Sequence, residues 1–238
     1  MHAALKAKDI VVRFGGVVAV NKVSLTLPEG GVVGLIGPNG AGKTTLFNAI
    51  TGFVPVSEGS VFFYDKEITH CPPYERTALG MGRTFQTERP FEELTVLENV
   101  LVAAFLHTSK RAEAIDIAME ALREVGLADR ASQPSSDLNL ARLRRLELAK
   151  ALAVQPKILF LDEIMAGLNP PALHEMIQFL RTLTEKGVSI LMVEHIMEAI
   201  IELSDHVLVL ASGELIAEGK PKEVIADERV IDAYLGTD

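Results

Sequence analysis

Hydrophobic residues fall in short, regularly spaced blocks along this chain. Residues 10–14, 23–27 and 32–36 are apolar or alternating runs rich in valine and isoleucine, separated by Gly15-Gly16 and by Pro28-Glu29-Gly30. Such runs bounded by glycine and proline predict strands and turns. A helix is predicted from Lys43 to about Thr51, a strand over 59–64, and a short helix opened by Pro72-Pro73 and ending near Gly80. Residues 83–86 form a brief extended piece that leads into a polar loop.

The period then changes from two to near four. Residues 95–107 read as a helix, with Thr95 and Glu98 at capping-box spacing. Within 112–125, Ile115, Met119, Leu122 and Val125 share one helical face. After the polar stretch 132–137 a third helix runs from about Leu140 to Ala153. Strand-like blocks return at 157–161, 188–193 and 206–210, alternating with helices over 170–185 and 195–203. Residues 214–217 read as a hairpin partner across Ser212-Gly213, and a helical tail closes the chain. Alternating strands and helices predict an α/β domain with a mainly parallel sheet and a ligand loop at a strand's carboxyl end. Residues 88–153 are expected to be a helical subdomain inserted between two parts of a core, about 1–87 and 154–238, within one domain spanning 1–238.

One turn in this pattern carries specific chemistry. Gly37-Pro38-Asn39-Gly40-Ala41-Gly42-Lys43-Thr44-Thr45 joins the strand over 32–36 to a helix start and fits G-x-x-x-x-G-K-[ST] at every fixed position. Glycines let the backbone wrap closely around an anion, and loop amides with a helix N-terminus hold the phosphates of a nucleoside triphosphate. Lys43 is placed to bridge the β- and γ-phosphates, Thr44 to ligate Mg²⁺, and Thr45 to reach the α-phosphate. The apolar strand Ile158-Leu159-Phe160-Leu161 ends in Asp162-Glu163. Asp162 is expected at its tip, where it can hold magnesium, with Glu163 orienting or deprotonating an attacking water. Gln86, on the extended piece, can contact the metal or its water. His195, at the end of a later strand, is placed for a γ-phosphate contact shared with Glu163.

Composition narrows the partners. Of 238 residues, 48% are hydrophobic, enough for a substantial core, and 32 acids against 23 bases give a net charge of −9. That balance argues against a general nucleic-acid binder, which needs a basic face, while leaving room for a local basic patch such as Arg142, Arg144 and Arg145. The longest unbroken apolar stretch, residues 100–106, falls far short of the ~20 residues a bilayer span needs. No secretory signal is expected at the N-terminus. The single cysteine, Cys71, fits a reducing compartment and is no metal ligand, having only His70 nearby.

With these motifs in this order, nearly the whole chain resembles an ATP-binding subunit of an ABC transporter. The phosphate loop, Gln86, the acidic strand, the D-loop Ala166-Gly167-Leu168-Asn169-Pro170 and His195 all take the family's places. The resemblance implies the phosphate-loop NTPase fold of ABC ATPases: a mainly parallel central sheet, an antiparallel N-terminal β portion and an inserted helical subdomain. It also implies ATP and Mg²⁺ as ligands, and Phe14 as the aromatic ring stacked on adenine. Arg13-Phe14-Gly15-Gly16-Val17-Val18-Ala19-Val20, Gly80-Met81-Gly82-Arg83-Thr84-Phe85-Gln86 and Leu94-Thr95-Val96-Leu97-Glu98-Asn99-Val100 resemble subunits of branched-chain and hydrophobic amino-acid importers. The implied setting is the cytoplasmic face of a membrane, with a second ATPase subunit, permease subunits and, indirectly, an external solute-binding protein. An export motor of the same fold, such as one for lipopolysaccharide, is the rival within the family. A nucleotide-gated regulatory subunit is the rival on activity.

One departure stands out. The family's Leu-Ser-Gly-Gly-Gln signature, which closes over ATP on a partner subunit, is here Leu138-Asn139-Leu140-Ala141-Arg142. Asn139 keeps N-cap chemistry. Leu140 and Ala141 add β-carbons where the backbone must come close to phosphate, and Arg142 adds a compensating charge. The expected consequence is a heterodimer with one competent and one weakened composite site, a homodimer being the alternative.

Overall fold

The computed structural model describes residues 2–85 and 90–235. Strands β1 (Ala3–Phe14) and β2 (Val17–Pro28) form a long antiparallel hairpin, with Phe14 paired to Val17. Its turn uses Gly15 at φ +57°, a left-handed conformation that glycine adopts without steric cost. Both strands are longer than their apolar runs predict. Small or polar residues such as Ala3, Lys6 and Thr26 join the ladder because the neighbouring strand satisfies their backbone, whatever their side chains prefer.

The chain continues through β3 (Val32–Ile36), α1 (Lys43–Thr51), β4 (Glu58–Phe63), β5 (Lys66–Glu67), α2 (Pro73–Ala78) and β6 (Met81–Arg83). Three helices follow: α3 (Val96–Ala104), α4 (Arg111–Glu124) and α5 (Leu140–Leu152). Then come β7 (Ile158–Asp162), α6 (Pro170–Glu185), β8 (Ser189–Val193), α7 (Met197–Leu203), β9 (His206–Ala211), β10 (Glu214–Gly219), α8 (Pro221–Ile225) and α9 (Glu228–Leu235). One sheet is antiparallel with order β2-β1-β4-β5. The other has order β10-β9-β3-β8-β7-β6, parallel except for β10.

The parallel strands read as continuous apolar runs because both their faces are covered. Val32, Ile36, Leu159, Leu161, Ile190, Met192, Val207 and Val209 face one core, shared with α3 to α7. Their alternating neighbours Val33, Leu35, Ile158, Phe160, Leu191, Val193, Leu208 and Leu210 face a second core, shared with α1 and the antiparallel sheet. There the rings of Phe47 and Phe160 meet edge-on, 5.6 Å apart.

Helix α3 begins as its spacing predicts. Glu98 N–H donates to Thr95 Oγ1 at 3.2 Å, and Thr95 N–H donates to Glu98 Oε2 at 2.8 Å, a reciprocal capping box. The expected basic patch is broken by burial. Arg144 lies in the interior on the inward face of α5, leaving Arg142 and Arg145 nearer the surface. Cys71 is half-buried, and its carbonyl accepts a hydrogen bond from Arg76 Nε. Among the described residues, no helix is long and apolar enough to cross a membrane.

Candidate functional site

Register brings the site together. Leu35 and Asp162 both pair with Val193, so β3, β7 and β8 end level with one another. Three strand ends therefore deliver Gly37, Glu163 and His195 to the same edge of the sheet.

From β3 the chain turns through Gly37, Gly40 and Gly42 at φ +146°, +79° and +97°. At Gly37 a β-carbon would stand 2.1 Å from the carbonyl oxygen of Leu210, and at Gly42 2.6 Å from that of Ala19. These two glycines are therefore fixed by space as well as by φ. Helix α1 starts at Lys43 with no side-chain cap and no acid in its first turn. Its first amides, and its positive dipole end, are left for an anion. Lys43 Nζ donates to the carbonyls of Gly37 (2.7 Å) and Pro38 (2.9 Å), bridging the loop from inside. Burial lowers its pKa, while Glu163 and Asp162 act in the opposite direction. A cavity of about 450 Å³ opens over the loop, lined by residues 39–45, Val17, Val18, Ala19, Glu163 and the Ser212-Gly213 turn.

Asp162 ends β7 but does not project into solvent. It is buried, with Oδ2 3.4 Å from Arg83 Nη2 and its N–H donated to Thr84 Oγ1 at 3.2 Å. Its other carboxylate oxygen has no hydrogen-bond partner among the described residues. Burial raises its pKa, and Arg83 opposes that. Glu163 follows in the left-handed region at φ +50°, its N–H bonded to the carbonyl of Val193 at 2.9 Å. Non-glycine residues held there store strain of order 1–3 kcal/mol, which concentrates at functional positions. Glu163 Oε2 lies 4.0 Å from Nδ1 of His195, whose ring is about half exposed.

Two further residues belong to this cluster. Arg83, on β6, donates to Thr51 Oγ1 at 2.6 Å, and its guanidinium lies 4.8, 4.8 and 4.9 Å from the ring centres of Phe47, Phe53 and Phe85. Glu194 is fully buried, accepts the N–H of Met165 at 3.0 Å, and has its pKa pushed up to about 7 by desolvation. The sequence signals Arg83 only as a charged residue at the last step of a short strand, and Glu194, one residue past β8, carries no such local mark.

The remaining predicted residues are placed apart. Phe14 is exposed at the end of β1 and does not line the cavity over the loop. Gln86 lies outside the described residues. None of Leu138, Asn139, Leu140, Ala141 and Arg142 lines this cavity. Asn139 caps α5, its Oδ1 accepting the N–H of Arg142 at 3.1 Å, and Leu140 is exposed. A β-carbon at Gly167 would meet Leu140 Cδ2 at 3.1 Å, so the D-loop runs against the altered signature. Asn169 of that loop caps α6 through the N–H of Ala172.

Residues 20–166 match a family profile described as ABC transporter. The chain belongs to the ATP-binding cassette transporter family. Residues 214–238 match a second profile, described as branched-chain amino acid ATP-binding cassette transporter. A high-affinity branched-chain amino acid transport ATP-binding protein of Salmonella typhimurium is 39% identical over 248 residues, covering 98% of this chain and 97% of that protein. A probable counterpart from Archaeoglobus fulgidus is 36% identical over 244 residues, covering 98% and 95%. Among solved structures, an ABC cassette in its ADP conformation superposes with a TM-score of 0.90 at 33% identity, covering 99% of each chain. A bacterial cassette solved as a dimer gives 0.82 at 26%, covering 91% and 98%. The cassette is thus an ATP-binding, ATP-hydrolysing subunit with the α/β architecture its motifs imply.

Proposed function

We propose that this cassette is the motor of an importer for branched-chain or other hydrophobic amino acids. It would work at the cytoplasmic face of the membrane through permease subunits fed by an external solute-binding protein. The reading rests on one juxtaposition: Glu163 lines the phosphate-loop cavity and stands within 4.0 Å of His195. The full-length likeness to branched-chain amino acid transport proteins supplies the substrate class.

In this reading the loop amides and the N-terminus of α1 bind the triphosphate. Lys43 gives up at least one of the Gly37 and Pro38 carbonyls to pair with β- and γ-phosphate oxygens. Glu163 orients the attacking water and takes its proton as the γ-phosphoryl group leaves ADP. His195 holds the γ-phosphate against Glu163. The donor set fits magnesium: Asp162 offers an unpartnered, buried carboxylate oxygen and Thr44 a hydroxyl in the cavity wall. Gln86 is assigned the same metal by its place in the sequence. Magnesium, bound with the nucleotide, supplies positive charge to the phosphate oxygens.

The test is phosphate release by the assembled complex. Glu163→Gln should keep MgATP affinity while lowering turnover at least about 100-fold. Lys43→Ala should weaken both. Full turnover in the Glu163→Gln complex would remove Glu163 from the chemistry. Absence of turnover in the wild-type complex would favour a nucleotide-gated regulatory subunit.

A further inference from the structure

After β8 the chain returns to the phosphate loop three times. Leu210, in β9, places its carbonyl oxygen where any β-carbon on Gly37 would go, 2.1 Å away. Gly213, in the turn between β9 and β10, donates its N–H to the carbonyl of Ala41 at 3.0 Å. Tyr234, near the end of α9, accepts the N–H of Gly37 on its hydroxyl at 2.9 Å, across 197 residues of sequence. Helix α9 is itself anchored by buried Val230.

The third contact is the informative one. Gly37 opens the phosphate loop and is buried, so its N–H needs a partner. The loop is also held from inside, by Lys43 Nζ on the carbonyls of Gly37 and Pro38. The Lys43 ammonium has three donors, two of them on these carbonyls, so pairing with both β- and γ-phosphate oxygens makes it give up at least one carbonyl. The loop then loses internal support, and its external hydrogen bonds carry more of its curvature. Burial raises the pKa of the Tyr234 phenol, so no negative charge develops beside the phosphates at neutral pH.

We propose that Tyr234 is a positioning residue for nucleotide binding: its hydroxyl, carried by α9, holds the first peptide of the phosphate loop in the shape that receives the phosphates. By linkage, nucleotide occupancy steadies α9 in return. The proposal rests on the reading of residues 37–45 as the nucleotide site. It assigns a task to the C-terminal segment that the motifs leave without one.

The experiment compares the full-length wild type with Tyr234→Phe and Tyr234→Ala. Calorimetry with magnesium ADP reads affinity without turnover. Losing one hydrogen bond should weaken binding about fivefold, within a range of about 2- to 10-fold. Both variants should agree within about twofold, because the hydroxyl and not the ring does the holding. In the assembled complex KM for ATP should rise by a similar factor with kcat nearly unchanged. Hydrogen exchange over residues 228–235 should slow on adding magnesium ADP in the wild type and not in Tyr234→Phe. Wild-type affinity in Tyr234→Phe would overturn the proposal. So would a loss of affinity matched by a fall of more than about 4 °C in the melting temperature of the nucleotide-free chain, which would make Tyr234 general scaffold. Failure of the wild type to bind magnesium ADP would instead remove the nucleotide site.

Discussion

Glu194 sits directly between the last residue of β8 and His195, buried, with one oxygen on the N–H of Met165 and the other unpartnered among the described residues. Desolvation pushes its pKa from an ordinary 4.5 to about 7. Between those values the folded chain keeps a proton that the unfolded chain has lost. The group therefore costs nothing below about pH 4.5 and imposes its full penalty above about pH 7, so its contribution to stability falls as pH rises. The shift corresponds to about 3 kcal/mol. Glu194→Gln retains an acceptor for Met165 and cannot ionise. Urea unfolding at pH 5 and pH 8 should show the variant gaining roughly that much on the wild type between the two. Parallel pH profiles would mean that Glu194 is already ionised in the fold. Lys43 and Glu163 were legible from sequence because each sits at a fixed offset from glycines or from an apolar strand. Glu194 was not, since burial and the Met165 amide, 29 residues away, give it its properties.

At the scale of elements, local chemistry was the readable part. The Thr95–Glu98 box, the glycines of the phosphate loop and the five-residue apolar strands each carry their instruction within a few residues. The two-residue β5 was not readable, because it exists only as an antiparallel partner of Phe62 and Phe63. The three-residue edge strand β6 is similarly held from outside. Arg83 at its end spans to Thr51 of α1 and Asp162 of β7, its charge packed among three aromatic rings. Removing one member of a buried ion pair leaves the other uncompensated, typically at 3–5 kcal/mol. The 3.4 Å separation from Asp162 places this pair at the lower end, about 3 kcal/mol. Arg83→Met should therefore destabilise the nucleotide-free chain by about that amount in urea. Adding Asp162→Asn should return a large part of it, since no charge then remains to be neutralised. Equal losses that simply add in the double variant would show that Arg83 acts through its aromatic packing and not through Asp162.

At the scale of the whole molecule, we propose that a second subunit completes the nucleotide site. The signature segment does not line the cavity over its own phosphate loop, and a related cassette is dimeric. If the signature serves the partner's nucleotide, Leu138-Asn139-Leu140-Ala141-Arg142 handicaps the partner's site and leaves this chain's own site intact. Asn139 preserves the start of α5, so the helix still points its amides correctly, but exposed Leu140 sets bulk where backbone must approach phosphate. Loss of one such donor contact costs roughly 100-fold in phosphoryl and acyl transfer, and the surviving amides and Arg142 offset part of that. The expected outcome in a purified heterodimeric complex is unequal turnover, by about tenfold or more. Glu163→Gln in this chain should remove most phosphate release, whereas the matching substitution in the partner should remove little. Replacing Asn139, Leu140, Ala141 and Arg142 by Ser, Gly, Gly and Gln should raise turnover at the partner's site and leave Glu163-dependent turnover unchanged. Equal losses from the two glutamate substitutions, together with no gain from the restored signature, would show that the two sites fire alike and that residues 138–142 are a neutral variation of the family sequence.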